Sequence, residues 1–106
     1  MPGRIDRIRK LLEDEPQDTF LRYSLAMELQ KEGSADESLR LLDELMSGEP
    51  PYVPAFFMAG QQLARQGRIE EAQDRLTRGI AAARQQGDLH AAEEMTGFLT
   101  GLGEAD

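Results

Sequence analysis

The side chains with obvious catalytic or metal-binding chemistry lie near the C-terminus. His90 is the single histidine of the sequence, and Glu93 and Glu94 follow it closely. An imidazole near two carboxylates could act as a general base or as a metal ligand. Adjacent residues on a helix point about 100° apart, so Glu93 and Glu94 cannot share a proton or a metal ion. We therefore interpret His90 as a surface residue near the start of a helix.

No other pattern in the sequence has the form of a catalytic site. Cysteine is absent, which excludes disulfides, thiolate chemistry and cysteine-type zinc sites. There is no glycine-rich phosphate loop after a strand, no nucleophile elbow and no histidine pair at metal spacing. The serines, which periodicity brings near no histidine–acid pair, are Ser24, Ser34, Ser38 and Ser47. The sequence predicts a non-enzymatic protein without a metal or a cofactor.

Length and charge narrow the possible partners. The chain has 106 residues, enough for one domain with a modest core, and 20 acidic against 12 basic residues give a net charge of −8. That charge repels a phosphate backbone, so we expect no nucleic acid partner. The N-terminus lacks the apolar run of a signal peptide, and no window approaches the roughly 18 apolar residues of a membrane span. We expect no membrane contact and a cytoplasmic location.

The remaining candidates for binding are apolar and aromatic side chains, and their spacing is helical. Ile5, Ile8 and Leu11, for example, recur every three residues with charged residues between them. Similar patterns predict six helices, over residues 4–15, 19–31, 36–46, 55–66, 69–84 and 89–102. Ser34 and Glu37 have the spacing of a capping box before the third helix. Other expected helix-end residues are Asp18 and Asp88 as N-caps, Gly33 as a left-handed C-cap and Pro54 in a first turn.

A period of 34 residues relates these helices in pairs, and such a period is the strongest architectural signal in a short chain. Ala26 returns as Gly60, and Gly33 returns as Gly67. A glycine inside a helix is unfavourable by about 1 kcal/mol relative to alanine, so Gly60 needs a structural reason. We expect small residues at Ala26, Gly60 and Ala72 to let neighbouring helices approach closely.

Two antiparallel helices per 34 residues, with this alternation of small and large apolar residues, resemble the tetratricopeptide repeat (TPR). The resemblance covers almost the whole chain, and its residues are Leu25, Ala26, Leu29, Gly33, Leu42, Leu45 and Pro50, then Phe56, Ala59, Gly60, Leu63, Gly67, Ala72 and Leu76. Arg22, Ser38 and Arg84 depart from it, and each is expected to weaken a single contact. The third unit is also slipped by two residues, because Gly103 lies 36 residues after Gly67.

The resemblance implies an all-α fold, a right-handed α-solenoid of about six antiparallel helices. It would form a single domain over residues 1–106. Within it, residues 4–15 form a capping half-repeat, 17–50 and 51–84 form two repeats, and 88–103 form a C-terminal capping helix. In this family the bound molecule usually lies against the first helices of the repeats, on the concave side.

The function that the resemblance implies is the binding of a peptide or helix of a partner protein in that concave groove. Tyr23 and Phe57 are 34 residues apart, so we expect adjacent helices to present them side by side. The candidate partner-binding residues are Phe20, Tyr23, Met27, Gln30, Pro54, Phe57, Met58 and Gln61. One subtype of the family binds a terminal carboxylate, and this is disfavoured here. The residues at the matching places are Tyr23, Met27, Met58, His90 and Glu94, none of which would hold a carboxylate.

Two alternatives remain open at this point. The aromatic and methionine stripe could be core, or could be covered by the last helix, because such side chains usually pack. The same apolar face, or the apolar residues 99–102, could instead form a homodimer.

Overall fold

All six predicted helices are present in the computed structural model, which describes residues 3–104. Their bounds are α1 Arg4–Asp14, α2 Thr19–Glu32, α3 Ala35–Met46, α4 Val53–Arg65, α5 Ile69–Gln85 and α6 Leu89–Glu104. Each lies within two residues of the bounds expected from the sequence. Residues 3–104 contain no strand, so the all-α class is confirmed. None of the described helices combines the length and the hydropathy needed to cross a bilayer.

Most of the expected helix ends are confirmed. The Asp18 carboxylate accepts a hydrogen bond from the Leu21 backbone N–H at 2.9 Å, and Asp88 Oδ1 accepts one from the Ala91 N–H at 3.1 Å. Gly33 adopts the left-handed conformation with φ of 95°, and Pro54 lies in the first turn of α4.

The capping box at Ser34 is wrong, because the Ser34 side chain makes no capping hydrogen bond. An N-cap residue normally has extended backbone geometry, whereas Ser34 has φ of −87° and ψ of 61°. That geometry follows from the tight turn at Gly33, in which the Ser34 backbone N–H donates to the Leu29 carbonyl at 2.8 Å. The turn at Gly67 is built in the same way, with the Arg68 N–H donating to the Leu63 carbonyl at 2.9 Å.

Consecutive helices pack against each other, and their buried residues form two hydrophobic clusters. The larger cluster draws on all helices from α2 to α6. The smaller one consists of Ile8, Leu25 and Leu29, at the α1–α2 interface, and Leu41 packs against both clusters. Ion pairs add to the attachment of α1, from Arg4 to Glu28 at 2.8 Å and from Arg9 to Glu37 at 3.1 Å.

Two glycines mark the places where helix axes come closest. A Cβ on Gly60 would lie 2.7 Å from Leu76 Cγ, and a Cβ on Gly79 would lie 2.5 Å from Phe56 Cβ and 2.6 Å from Met95 Sδ. Real Cβ atoms do not come this near to other carbon atoms. The expectation that a small residue at Gly60 permits close helix packing is therefore confirmed, and Gly79 has the same role between α4, α5 and α6.

A buried polar network joins three helices. Ser38 Oγ donates to the Ala26 carbonyl oxygen at 2.7 Å and lies 3.2 Å from Gln62 Oε1, while Gln62 Nε2 donates to the Ala35 carbonyl at 2.8 Å. Both side chains are almost fully inaccessible to solvent. Because Ser38 departs from the tetratricopeptide repeat pattern, it is expected to weaken one contact. The structure shows instead that its hydroxyl replaces that contact with hydrogen bonds inside the core.

We expect Gln62→Leu to lower the free energy of unfolding by about 1 kcal/mol, because the Ala35 carbonyl loses its side-chain donor and the Ser38 hydroxyl loses its polar neighbour. The neighbouring variant Gln61→Leu is the control. Gln61 makes none of these hydrogen bonds, so its replacement should change stability by less than about 0.5 kcal/mol. Urea unfolding of both variants measures the difference. Equal losses in the two would contradict a specific contribution from the network.

Candidate functional site

A cleft of about 190 Å³ opens between α2, α4 and α6. We call it the groove. Its lining residues are Tyr23, Val53, Pro54, Phe57, Met58, Gln61, Asp88, Ala91, Glu94 and Met95. The walls thus come from α2, α4 and α6, the alternate helices of the array. This arrangement follows from the repeat pattern, since every second helix in a stack of antiparallel pairs faces the same side.

The aromatic residues of the groove are held by edge-to-face pairs. Tyr23 packs against Tyr52 with ring centroids 5.3 Å apart, and Phe57 packs against Phe98 at 5.8 Å. Their 34-residue spacing predicts that Tyr23 and Phe57 lie side by side. They do line the same groove, but each ring is paired with a different neighbour. Such pairs fix ring orientation and add about 0.5–1.5 kcal/mol beyond the burial of apolar area, so the groove has defined walls.

Partial burial changes the ionisation of Tyr23. Burial disfavours the phenolate, and the neighbouring Tyr52 adds to this effect, so the pKa of Tyr23 is raised above its ordinary value of 10.0. The neutral phenol is therefore the form that the groove accommodates.

A pH dependence follows from the raised pKa of Tyr23. A folded-state pKa above the unfolded value contributes stability that is fully present below pH 10 and is lost as the pH rises through the folded pKa. Tyr52→Phe leaves Tyr23 as the only tyrosine, so ultraviolet titration of this variant follows one phenol. We expect its midpoint above 10.0 in the folded protein and a decrease in unfolding free energy over the same alkaline range. A midpoint at or below 10.0 would contradict the burial of Tyr23.

Not all of the residues proposed from the sequence meet at the groove. Those that the structure brings together are Tyr23, Pro54, Phe57, Met58 and Gln61. Met27 and Gln30 are partly buried on α2 and are not among its lining residues. Phe20 is 67% exposed and lies in a different cleft with Leu11 and Leu21, between α1 and α2. The groove is therefore shorter along α2 than the sequence pattern suggests.

The lining residues that were not predicted as site residues from the sequence come mostly from the α6 side. They are Val53, Asp88, Ala91, Glu94 and Met95. One signal was available for Glu94: it stands 36 residues after Met58, the same spacing that separates Gly67 from Gly103. The slipped third unit therefore places Glu94 at the position of a groove residue.

The groove continues into a second cleft of about 560 Å³ at the edge of the array. Val53, Pro54 and Asp88 line both clefts, which makes them contiguous. We call this second one the edge cleft; its charged lining residues are Arg22, Glu44, Glu49 and Asp88. The combined surface is apolar in the groove and polar at the edge.

The described residues contain no arrangement with evident catalytic geometry at this surface. His90 is exposed, and its Nε2 lies 3.4 Å from Glu94 Oε1 on the same helix. Within residues 3–104 no three potential metal-ligating side chains come together. What the groove offers chemically is apolar contact together with hydrogen bonding, in which Tyr23 and Gln61 can donate or accept and Asp88 and Glu94 can accept.

Comparisons with known proteins agree with this architecture. No protein-family model matches the chain. TPR repeat-containing protein PA0015 from Pseudomonas aeruginosa is 27% identical over 101 residues, which cover 95% of this chain and 96% of that protein.

Solved structures of similar proteins also agree with this architecture over most or all of the chain. The solution structure of a tetratricopeptide repeat domain protein from Salinibacter ruber is 31% identical, with a TM-score of 0.80, and the match covers 86% of this chain and 92% of that one. The solution structure of protein BPP2914 from Bordetella parapertussis is 26% identical, with a TM-score of 0.83, and covers 100% of this chain and 92% of that one. With six helices in antiparallel pairs, a 34-residue period and this similarity along nearly its whole length, the chain belongs to the tetratricopeptide repeat family.

Proposed function

We propose that this protein is a non-enzymatic interaction module whose groove binds a peptide or a helical segment of another protein. The observation that carries the proposal is a preformed apolar groove, in which Tyr23, Phe57 and Met58 are partly buried and still line open space. Membership of the tetratricopeptide repeat family points to a protein as the partner. An amphipathic segment laid in an apolar groove is a common mode of peptide recognition.

The partial burial of the groove residues argues against a purely structural role. Phe57 is covered on one side by Phe98 of α6, yet the cleft beside it remains open. Complete coverage by the last helix would leave no cleft. Of the described lining residues Val53 and Met95 are buried, whereas the other lining residues keep part of their surface exposed.

The size of the groove by itself suits a side chain of a larger partner, and the contiguous edge cleft gives room for the rest of that segment. Sites for drug-sized molecules have volumes of about 300–1,000 Å³, and the groove has about 190 Å³. That space suits one or two apolar anchor side chains of a peptide whose backbone lies across the surface.

The test is selection of displayed random peptides on the wild-type protein, followed by affinity measurements on two matched variants. Met58→Gln with Ala91→Gln makes the groove polar without removing a fully buried residue. We expect it to weaken binding of the selected peptides at least tenfold, which corresponds to the loss of about 1.4 kcal/mol. Leu11→Gln is the control, because Leu11 is 54% exposed and lies in the separate cleft beside Phe20.

Three results would contradict the proposal: no enriched peptide, unchanged affinity of the variant Met58→Gln with Ala91→Gln, or an equal loss of affinity in Leu11→Gln.

The homodimer remains the alternative occupant of the same face. Light scattering over a range of concentrations distinguishes it. A dimer that the groove variant dissociates would show that a second copy occupies the groove.

A further inference from the structure

The ionised side chains at the groove are carboxylates. Asp88 and Glu94 lie among the lining residues, and none of the described residues that line the groove is Lys or Arg. Glu94 has its side chain 53% exposed, so its charge faces solvent at the rim. Asp88 caps α6 through one oxygen and is exposed at the start of that helix.

The edge cleft extends this acidic character. Glu44 and Glu49 line it together with Asp88. Its one arginine, Arg22, lies 3.8 Å from Glu44 and so neutralises part of that charge. An occupant that runs from the groove into the edge cleft therefore meets apolar side chains first and carboxylates on either side.

A second copy of this chain is a poor match for that surface. The chain carries a net charge of −8, and association of two such molecules brings like charges together. Arginines on or beside α5 are its densest source of positive charge, and three of the five between residues 65 and 84 are engaged within the chain. Arg68 pairs with Glu71, Arg75 pairs with Asp43 at 3.2 Å, and Arg78 pairs with Asp74 at 3.2 Å.

We infer that the occupant of the groove is a cationic amphipathic segment of another protein, with an apolar anchor side chain in the groove and lysine or arginine beside Asp88 and Glu94. This inference rests on the proposed function and adds the chemical class of the partner. The apolar anchor supplies most of the affinity, while the charges select the partner and speed its association.

The expected contribution of the charges to affinity determines how large a change in affinity the experiment must detect. Solvent-exposed ion pairs change affinity by at most about fivefold each. Removal of both carboxylates should therefore weaken a cationic ligand by up to about 25-fold. The effect should decrease at high salt, because mobile ions screen exposed charges.

The experiment uses three synthetic peptides of about 16 residues, long enough to be partly helical. All have the same leucine and phenylalanine residues on one face, and the other face carries lysine, glutamine or glutamate. Their affinities are measured by fluorescence anisotropy on the wild type and on Asp88→Asn with Glu94→Gln. Asparagine at position 88 is also a good N-cap, so the start of α6 is preserved in this variant. The control, Asp36→Asn with Glu70→Gln, removes the same charge from exposed positions on α3 and α5.

We expect the lysine peptide to bind about threefold to 25-fold more tightly than the glutamine peptide, and the glutamate peptide to bind most weakly. Asp88→Asn with Glu94→Gln should remove that preference. The control, Asp36→Asn with Glu70→Gln, should change it less than twofold. Equal affinity of the lysine and glutamine peptides would overturn the inference and leave the proposed function standing. Failure of all three peptides would overturn both. A wild-type dimer that Met58→Gln with Ala91→Gln dissociates would overturn the inference in favour of a second copy.

Discussion

Gly79→Ala should destabilise the protein by about 1–3 kcal/mol, even though alanine is the better helix former. The new methyl group would lie 2.5 Å from Phe56 Cβ and 2.6 Å from Met95 Sδ. The methionine could move, but Phe56 Cβ is fixed to its own backbone. Helix α5 would therefore have to shift away from α4, which opens the packing of both. Thermal or urea unfolding measures the loss.

Gly97→Ala is the matched control, with the same substitution inside a helix. Gly97 is exposed on α6, and a Cβ there meets nothing within 4 Å. With no steric cost, only the helix propensity remains, and this favours alanine by about 1 kcal/mol. We expect the two variants to change stability in opposite directions. A stabilising effect of Gly79→Ala would show that the interface between α4, α5 and α6 is looser than the structure indicates.

The second large effect concerns Leu76, which is fully buried against Gly60. Leu76→Ala should lower the free energy of unfolding by about 2–5 kcal/mol through the lost burial and the cavity that it leaves. Gly60→Ala alone should also destabilise, because its Cβ would lie 2.7 Å from Leu76 Cγ. In the double variant the new methyl group enters the space that the leucine has vacated.

The double variant should therefore be more stable than the sum of the single effects by about 1 kcal/mol or more. Leu29→Ala provides the comparison. Leu29 is also buried, but it belongs to the small α1–α2 cluster. Its combination with Gly60→Ala should be additive to within about 0.5 kcal/mol. The same coupling energy in both pairs would mean that Gly60→Ala acts through a general loosening of the fold and not through contact with Leu76.

The fold was largely predictable because its signals are local or periodic. Helix ends at Asp18 and Gly33 follow from the hydrogen bonding and backbone geometry of single residues, and the need for a small residue at Gly60 follows from the 34-residue period. The capping box at Ser34 was wrong for a local reason as well. The left-handed turn before it sets a backbone conformation that a sequence motif does not specify.

The candidate site was only partly predictable because it depends on how helices cross. Phe20 has the pattern of a groove residue, but it lies near the first turn of α2, where the chain faces α1 and the cleft with Leu11. Tyr52 lies just before α4, and no periodicity relates it to Tyr23, its ring partner. Ala91 and Met95 come from α6, and their place in the groove depends on how α6 packs beside α4.

The hydrogen bonds of Ser38 and Gln62 have a consequence for how a ligand is received. Apolar contacts between α3 and α4 could tolerate a small axial displacement, but these bonds are satisfied at one relative position of the helices. Sliding α4, which carries Phe57 and Met58, would break them in an interior that offers no water as a substitute. The shape of the groove is therefore fixed before any partner arrives. We expect the proposed binding of a partner segment to work by selection among incoming segments, with little remodelling of the groove.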